Sequence, residues 1–347
     1  MPLLGSASDS GARDTEASTG SAPVATAGSA TCFLTAWLED QTPSAAPATV
    51  KVLGERGGTR ADVLTALGPI VADHLYGAEL LARLGYVKAA AVVESVLPRG
   101  KKIRSGDLGE ILATEYVARR TEYRVPVKRL RYKDDREMSM RGDDVIGIAP
   151  PGRGLGPAVG GAPPAAASPA PGPGAASPSG AGRTRVLKVE VKSRAVLGQS
   201  TVAEACAALD AHDGRPKPST LGFLAHKLRQ AHRDEDAELI EQLQERAVRV
   251  EDVAHLVFVF SGNDPATALT AHAAAGARPI TRSLVGVRVT DHGPFIASAF
   301  AHAVQRPVAT PAPAPLAPLA PLAGPAHAAP RGPSADAPGP AVDAAGD

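Results

Sequence analysis

The sequence has little of what several protein classes need. Its two cysteines, Cys32 and Cys206, lie far apart and outside any CxxC or Cys/His pattern, so neither a disulfide framework nor a structural zinc site is supported. Aromatic residues make up 3% of the chain, too few for the successive rings on which single-stranded nucleic acid stacks. A formal net charge of +1 excludes a strongly polycationic, chromatin-type protein but leaves room for a locally basic face.

Signals for export, membrane insertion and nucleotide binding are missing as well. No apolar run approaches the roughly 20 residues needed to cross a bilayer. Residues 1–30 lack the basic and apolar regions of a signal peptide. The sequence therefore predicts a soluble protein of the reduced cytoplasm without a membrane partner. Because no GxxxxGK[ST] loop is present, we expect the chain itself not to hydrolyse ATP, and any ATP dependence would come from a partner.

Three segments are dominated by proline, alanine, glycine and serine: residues 1–29, 150–184 and 305–347. They predict disorder because they cannot bury enough apolar surface to offset the entropy lost on ordering. The middle segment separates the strand-like stretches 143–149 and 186–193, which can still pair because loop-closure cost grows slowly with length. The remaining sequence predicts an N-terminal α/β part, 30–98, packed on a core, 99–304, that carries the 150–184 insertion.

Apolar spacing predicts alternating helices and strands, and thus an α/β protein with a central mixed sheet flanked by helices. Ser105 is the expected cap of a helix that places Asp107 and Glu110 in its early turns, where the helix dipole favours acids. The full order is a strand over 30–38, a helical stretch over 61–84 that Pro69 kinks or divides, a helix over 105–120, strands over 123–132, 145–148 and 186–191, helices near 200–210 and 219–248, and strands over 255–260 and 284–289.

A charged face on an apolar strand is the first chemical signal. In the sequence LKVEVK at 187–192, alternation places Glu190 and Lys192 on one face and the valines on the other. Burying such charges is unfavourable unless each is paired or bound to a metal. A solvated strand edge is the alternative explanation, and Lys188 fits that pattern too.

A second acidic element strengthens the case for a site. The sequence GDD at 142–144 stands directly before the apolar VIGI, so a carboxylate at the start of one strand can meet the Glu-x-Lys of the next. Mg²⁺, or Mn²⁺ in its place, prefers such oxygen ligands. Asp144 and Glu190 are the expected metal ligands, with Asp143 as the rival of Asp144, and Lys192 would orient or deprotonate the attacking water and offset charge in the transition state.

Glu110 is the third acidic candidate. It follows Gly106, Asp107 and Gly109 on the helix that precedes the strands, and from there its carboxylate can contact a metal-bound water or a second ion. The alternative is that Glu110 and Asp107 merely complement the positive end of the helix dipole.

The order of these elements resembles the restriction-endonuclease-like PD-(D/E)xK superfamily. More narrowly, RGDDVIGI at 141–148 with KVEVKS at 188–193 is similar to the HamA/AbpA-type nuclease subunits of bacterial anti-phage (Hachiman) systems. The resemblance covers about 30–300, with motifs confined to about 105–195. It implies a restriction-endonuclease-like core, a Mg²⁺-dependent endonuclease acting on DNA, and a superfamily helicase as partner. It also places four residues in the catalytic positions, Glu110, Asp144, Glu190 and Lys192. The 150–184 insertion departs from the family pattern.

Two alternatives stay open. A nuclease-like fold can act as a catalytically silent module that docks on DNA or a helicase, although the intact acidic and lysine positions argue against this. A local basic cluster can hold backbone phosphates, but a solvated strand surface explains it nearly as well. The cluster consists of Arg124, Lys128, Arg129, Arg131, Lys133 and Arg136.

Overall fold

One six-stranded mixed sheet organises the described part of the protein. The computed structural model describes residues 32–149, 183–246, 248–273 and 280–308, so the predictions of disorder for 1–29 and for almost all of 150–184 and 305–347 lie outside the described residues. The strands are β1 (Leu38–Asp40), β2 (Val50–Glu55), β3 (Val145–Ala149), β4 (Arg185–Arg194), β5 (Val253–Ser261) and β6 (Arg282–Arg288).

The strand order is β1-β2-β6-β5-β4-β3. The four inner strands run parallel, while β1 and β3 at the edges are antiparallel to their neighbours. The unbroken apolar run LVFVF in β5 is typical of a parallel strand that is covered on both faces. Residues 50–55 thus join the same sheet as the strands of the 99–304 part.

Helices cover both faces of the sheet. Side chains from α1 to α5 and α10 form one apolar cluster with residues such as Phe258, and α6 to α9 form two clusters on the other face with residues such as Val257. The helices are α1 (Phe33–Trp37), α2 (Arg60–Leu75), α3 (Ala78–Leu84), α4 (Tyr86–Val96), α5 (Lys101–Arg120), α6 (Gln199–Asp210), α7 (Pro218–Gln230), α8 (Asp234–Glu245), α9 (Ala266–Ala273) and α10 (His292–Gln305).

The predicted α/β architecture with a central mixed sheet flanked by helices is therefore confirmed. Successive residues of a strand point to opposite faces, so alternate apolar side chains of β5 pack against the helices on opposite faces of the sheet. No helix within the described ranges is both long and apolar enough to span a bilayer.

The strand predicted over residues 30–38 is wrong for most of its length. Residues 33–37 are helical and only the last position enters β1. Packing overrides the apolar alternation here: Trp37 is fully buried and its ring stacks on Phe295, with the centroids 5.3 Å apart. A helical turn brings that large side chain to the interior.

Pro69 does not divide the helical stretch 61–84. It lies inside α2, and the break falls instead at Gly77, whose φ of 108° favours glycine. Asp73 stabilises the start of the next helix, α3, because its Oδ1 accepts the backbone N–H of Ala78, the first residue of α3, at 2.7 Å.

The strand predicted over residues 123–132 is also wrong. Only Arg124 makes an isolated bridge, to Ile148, and residues 129–132 form a 3₁₀ turn. Pro126 removes a backbone donor from the middle of the segment. Lys128 and Arg131 instead anchor it to α2 by ion pairs with Asp73.

The helix expected to start after Ser105 starts earlier. Helix α5 begins at Lys101, and Ser105 lies inside it with its Oγ 2.8 Å from Ser193 Oγ on β4. Asp107 and Glu110 consequently occupy the second and third turns, and no acidic residue lies in the first. Because the helix dipole acts mainly within the first turn, the explanation that these acids complement it is wrong.

Candidate acidic and lysine site at the end of β3

The two strands on either side of the insertion are direct neighbours. Strand β3 pairs antiparallel with β4, with Val145 opposite Val189 and Ala149 opposite Arg185. Because β3 begins at Val145 and β4 continues to Arg194, residues 190–194 have no partner in β3 on that side. Asp144 stands at the point where this open edge begins.

Asp144 is bound to the open edge of β4. Its Oδ2 accepts the backbone N–H of Val191 at 2.8 Å, which satisfies a strand donor that β3 no longer reaches. Burial raises the pKa of the Asp144 carboxyl to about 6, and repulsion by Glu190 adds to the rise, against the hydrogen bond from Val191. Glu190 thus lies close enough for its charge to oppose the ionisation of Asp144.

Glu190 and Lys192 share one face of β4, as the alternation predicts. Lys192 Nζ donates to Glu190 Oε1 at 2.7 Å, and the two side chains keep 17% and 20% of their surface exposed. The pair lies at the surface, where a ligand can reach both groups.

Glu110 approaches this edge because α5 packs tightly on β4. A Cβ added at Gly109 would lie 3.1 Å from Val191 Cγ1 and 3.2 Å from Ser193 Cβ, so glycine permits the close approach. Burial is the main cause that raises the pKa of Glu110 to about 8, and repulsion by Asp144 and Asp107 adds to it. The charges of Glu110 on α5 and Asp144 before β3 therefore influence each other.

Asp143 has other partners. It is buried, its Oδ2 accepts the backbone N–H of Lys217 at 2.8 Å, and its own N–H donates to Thr220 Oγ1 at 3.0 Å. Its Oδ1 lies 3.7 Å from Lys188 Nζ. The geometry thus separates the two adjacent aspartates: Asp144 lies with Glu190, whereas Asp143 holds the start of α7.

Lys188 is not on a solvated edge. It is 2% exposed, and the three N–H groups of its ammonium are shared among four backbone carbonyl oxygens that lie 3.0–3.4 Å from Nζ. These belong to Ala208, Leu209, Ala211 and Arg215. The ammonium satisfies carbonyls at the C-terminal end of α6, where a cation is favourable. The solvated-edge explanation is wrong for this residue.

The side chains of the basic cluster predicted on a strand surface mostly have bonding partners within the chain, although Arg124 is exposed. Lys133 Nζ donates to both carboxylate oxygens of Asp107, at 2.9 and 3.0 Å. Arg124 pairs with Asp236, and Arg136 donates to the Ser95 carbonyl. Sequence reasoning missed Asp107, Lys133 and Arg129 as neighbours of the acids, because a strand pattern gives no sign of a segment held by side-chain ion pairs.

The donor set suits a divalent cation in its chemistry. Among the residues that the structure describes, no three His, Cys, Asp or Glu side chains are grouped closely enough to hold a metal ion as they stand. Asp144, Glu190 and Glu110 nevertheless supply the hard oxygen ligands that Mg²⁺ and Mn²⁺ prefer. The repulsion that raises the pKa values of Asp144 and Glu110 is the kind that a bound cation relieves.

These features define a class: an α/β protein whose sheet gathers acidic side chains and a lysine where an antiparallel edge strand begins. The HamA family model matches residues 66–303, more than half of the chain and the whole of this site. The chain therefore belongs to the HamA family, which confirms the narrower of the two resemblances, whereas PD-(D/E)xK nuclease character stays a prediction.

A curated relative supports the assignment. The Hachiman protein HamA of Bacillus cereus is 27% identical over 167 residues, which cover 48% of this chain and 49% of the relative. The chain thus spans about half the length of the curated relative that it matches.

Glu110→Gln is expected to stabilise the protein at high pH only. A pKa of about 8, against the ordinary 4.5, means that the fold favours the protonated acid. Stability is therefore lost as pH rises from about 4.5 to about 8, and glutamine avoids this loss. Thermal unfolding should give similar Tm values at about pH 5 and a gain of a few degrees at about pH 8.5. The exposed Glu94→Gln on α4 is the control, and an equal gain at both pH values would contradict the prediction.

Proposed function

We propose that the chain is a metal-dependent nuclease of the PD-(D/E)xK type that hydrolyses phosphodiester bonds in DNA. One observation carries the proposal: β3 and β4 pair across the 150–184 insertion and bring Asp144 beside the Glu190 and Lys192 pair. Loop length alone does not prevent such pairing. Without this contact, the charged face of β4 would be only an amphipathic strand.

The order of elements around the site supports a restriction-endonuclease-like core. An acid-bearing helix, α5, packs on the β3–β4 pair, and further parallel strands extend the sheet beyond β4. Membership of the HamA family supports a role in anti-phage defence, as the effector subunit that works with a helicase. The sequence carries no phosphate-binding GxxxxGK[ST] loop, so in this proposal a partner supplies ATP hydrolysis.

Each site residue has a distinct task in this proposal. Asp144 and Glu190 would hold Mg²⁺, or Mn²⁺ in its place, and Glu110 would add a third carboxylate from α5. Bound Mg²⁺ supplies Lewis acidity at the scissile phosphate. When substrate binds, the Lys192 ammonium would exchange its bond to Glu190 for contacts with the substrate. It would orient the attacking water by hydrogen bonding and offset negative charge that develops on the phosphate. Asp143 positions the turn and touches no substrate.

Lys192→Met is expected to lower the rate of DNA cleavage by about 10²-fold. Methionine keeps most of the length of the side chain but removes the ammonium that orients water and offsets charge. The measurement is cleavage of plasmid and linear DNA with Mg²⁺ and with EDTA. The full chain is assayed alone and together with the proposed helicase partner. EDTA should abolish cleavage. Lys88→Met, at an exposed position on α4, is the matched control and should cleave at the wild-type rate.

A catalytically silent docking module is the other candidate. The direct bond between Lys192 and Glu190, which neutralises the pair internally, is the observation that favours it. Such a module would bind DNA or the helicase equally well as wild type and as Lys192→Met, and it would cleave under none of these conditions. Cleavage that persists at full rate in Lys192→Met would show that the site assignment is wrong.

A further inference from the structure

Arg129 is a buried cation without a carboxylate partner among the described residues. It begins the 3₁₀ turn 129–132 and is 5% exposed. Its Nη2 donates to the Arg141 carbonyl at 3.0 Å, while the buried Nη1 has no hydrogen-bond partner. Burying a guanidinium with an unsatisfied N–H is unfavourable, so a compensating interaction is expected nearby.

The guanidinium lies against the turn that leads into β3. Its Nη2 is 3.8 Å from the position that a Cβ would take at Gly142, two residues before Asp144. Its positive charge lowers the pKa of both Glu110 and Asp144, and for Glu110 it is the largest influence that opposes burial. Arg129 therefore favours the ionised forms of the helix acid and the strand acid from a distance, without an ion pair to either among the described residues.

Neighbouring cations of the same segment do not share this position. Lys128 and Arg131 pair with Asp73 on α2, and Lys133 pairs with Asp107. Lys133 also lowers the pKa of Glu110, but of these four cations only Arg129 is among the main influences on both Glu110 and Asp144.

We propose that Arg129 is a positioning residue of the site: it holds the Arg141–Gly142 turn that leads to Asp144 through a backbone carbonyl, and it places a buried positive charge with a free N–H beside that turn. Its consequence for cleavage rests on the proposed nuclease function, whereas its effect on folding does not. Lysine can replace the charge but not the planar fork of donors, so Arg129→Lys should behave between wild type and Arg129→Gln.

A double-mutant cycle tests the electrostatic part on the full chain. Arg129→Gln is made in the wild-type and in the Asp144→Asn background, and unfolding by urea is followed at about pH 8, where Asp144 is ionised. Arg129→Gln should reduce the folding equilibrium constant about tenfold more when Asp144 is present than when Asn replaces it. Arg131→Gln, two residues along the same turn, should cost the same in both backgrounds. Equal losses for Arg129→Gln in both backgrounds would overturn the proposal.

Cleavage kinetics test the positioning part. Arg129→Gln should lower kcat about tenfold with KM unchanged within about twofold, and Arg129→Lys should recover part of kcat. A rise in KM alone would mean that Arg129 binds substrate, and wild-type kinetics would mean that it has no role; either result overturns the proposal. If the double-mutant cycle shows coupling between Arg129 and Asp144 but the protein never cleaves DNA, the structural role of Arg129 stands and the proposed nuclease function is refuted.

Discussion

Glu190→Gln is expected to reduce DNA cleavage by at least about 10²- to 10³-fold while leaving the fold intact. Glutamine has nearly the same shape as glutamate but lacks the negative charge that makes a carboxylate the stronger ligand for a divalent cation. Glu190 also repels Asp144, so the substitution removes half of the charge pair on which the proposed site depends.

The structure indicates that this loss would be local. The Glu190 side chain is partly exposed, and its ion pair is with a partly exposed Lys192, so breaking the pair should cost at most about 1 kcal/mol of stability. Removing the repulsion on Asp144 should offset part of that cost. Circular dichroism and thermal unfolding of the variant should therefore match wild type closely.

The control is Glu204→Gln, at an exposed position on α6, outside the site. It carries the same change of charge and should cleave at the wild-type rate. If Glu190→Gln and Glu204→Gln cleave equally well, Glu190 is not a ligand and the proposed site fails. If neither wild type nor Glu204→Gln cleaves alone or with the proposed helicase partner, the silent-module function is favoured.

The strands around the site could be predicted from the sequence because local and tertiary signals agree there. In β3 to β6, β-branched and aromatic residues follow strand patterns, and the two apolar faces of β5 meet two helical layers. Agreement of local preference with burial makes such segments reliable. The pairing of β3 with β4 could be expected because the insertion adds little to the cost of closure.

Elsewhere packing decides against the local pattern. The apolar residues of 30–38 look strand-like, but burying Trp37 against Phe295 selects a helical turn. The alternation over 123–132 is real, yet its lysine and arginine side chains are held by acids that lie tens of residues away in sequence, Asp73 and Asp236. The residues adjacent in sequence carry no information about those distant partners.

Only part of the candidate site can be predicted from the sequence. The four residues Glu110, Asp144, Glu190 and Lys192 follow from motif order, and the structure brings them to one end of β3. The sequence ranks Asp144 ahead of Asp143 but does not show how the two differ, because the difference lies in distant partners, Lys217 for Asp143 and Val191 for Asp144. Arg129 was hidden because composition reports a charge but not its burial.

Lys188→Met is expected to cost about 3–5 kcal/mol of folding free energy, because it removes one member of a buried charge pair. The ammonium donates to carbonyls at the end of α6 and lies 3.7 Å from Asp143 Oδ1. Methionine fills the volume but leaves those carbonyls without a donor and Asp143 as a buried, uncompensated carboxylate. Urea unfolding of the full chain measures the loss, with Lys88→Met as the exposed control at a cost near zero.

A second substitution separates the charge from the packing. Asp143→Asn in the Lys188→Met background removes the stranded carboxylate while its amide oxygen can still accept the Lys217 N–H, so the double variant should recover about 1–2 kcal/mol relative to Lys188→Met alone. A loss below about 1 kcal/mol for Lys188→Met, or no recovery in the double variant, would contradict this account. Recovery would also separate the two aspartates by role, since Asp143→Asn would act on the stability that holds the end of β3 in place and Asp144→Asn on the chemistry performed there.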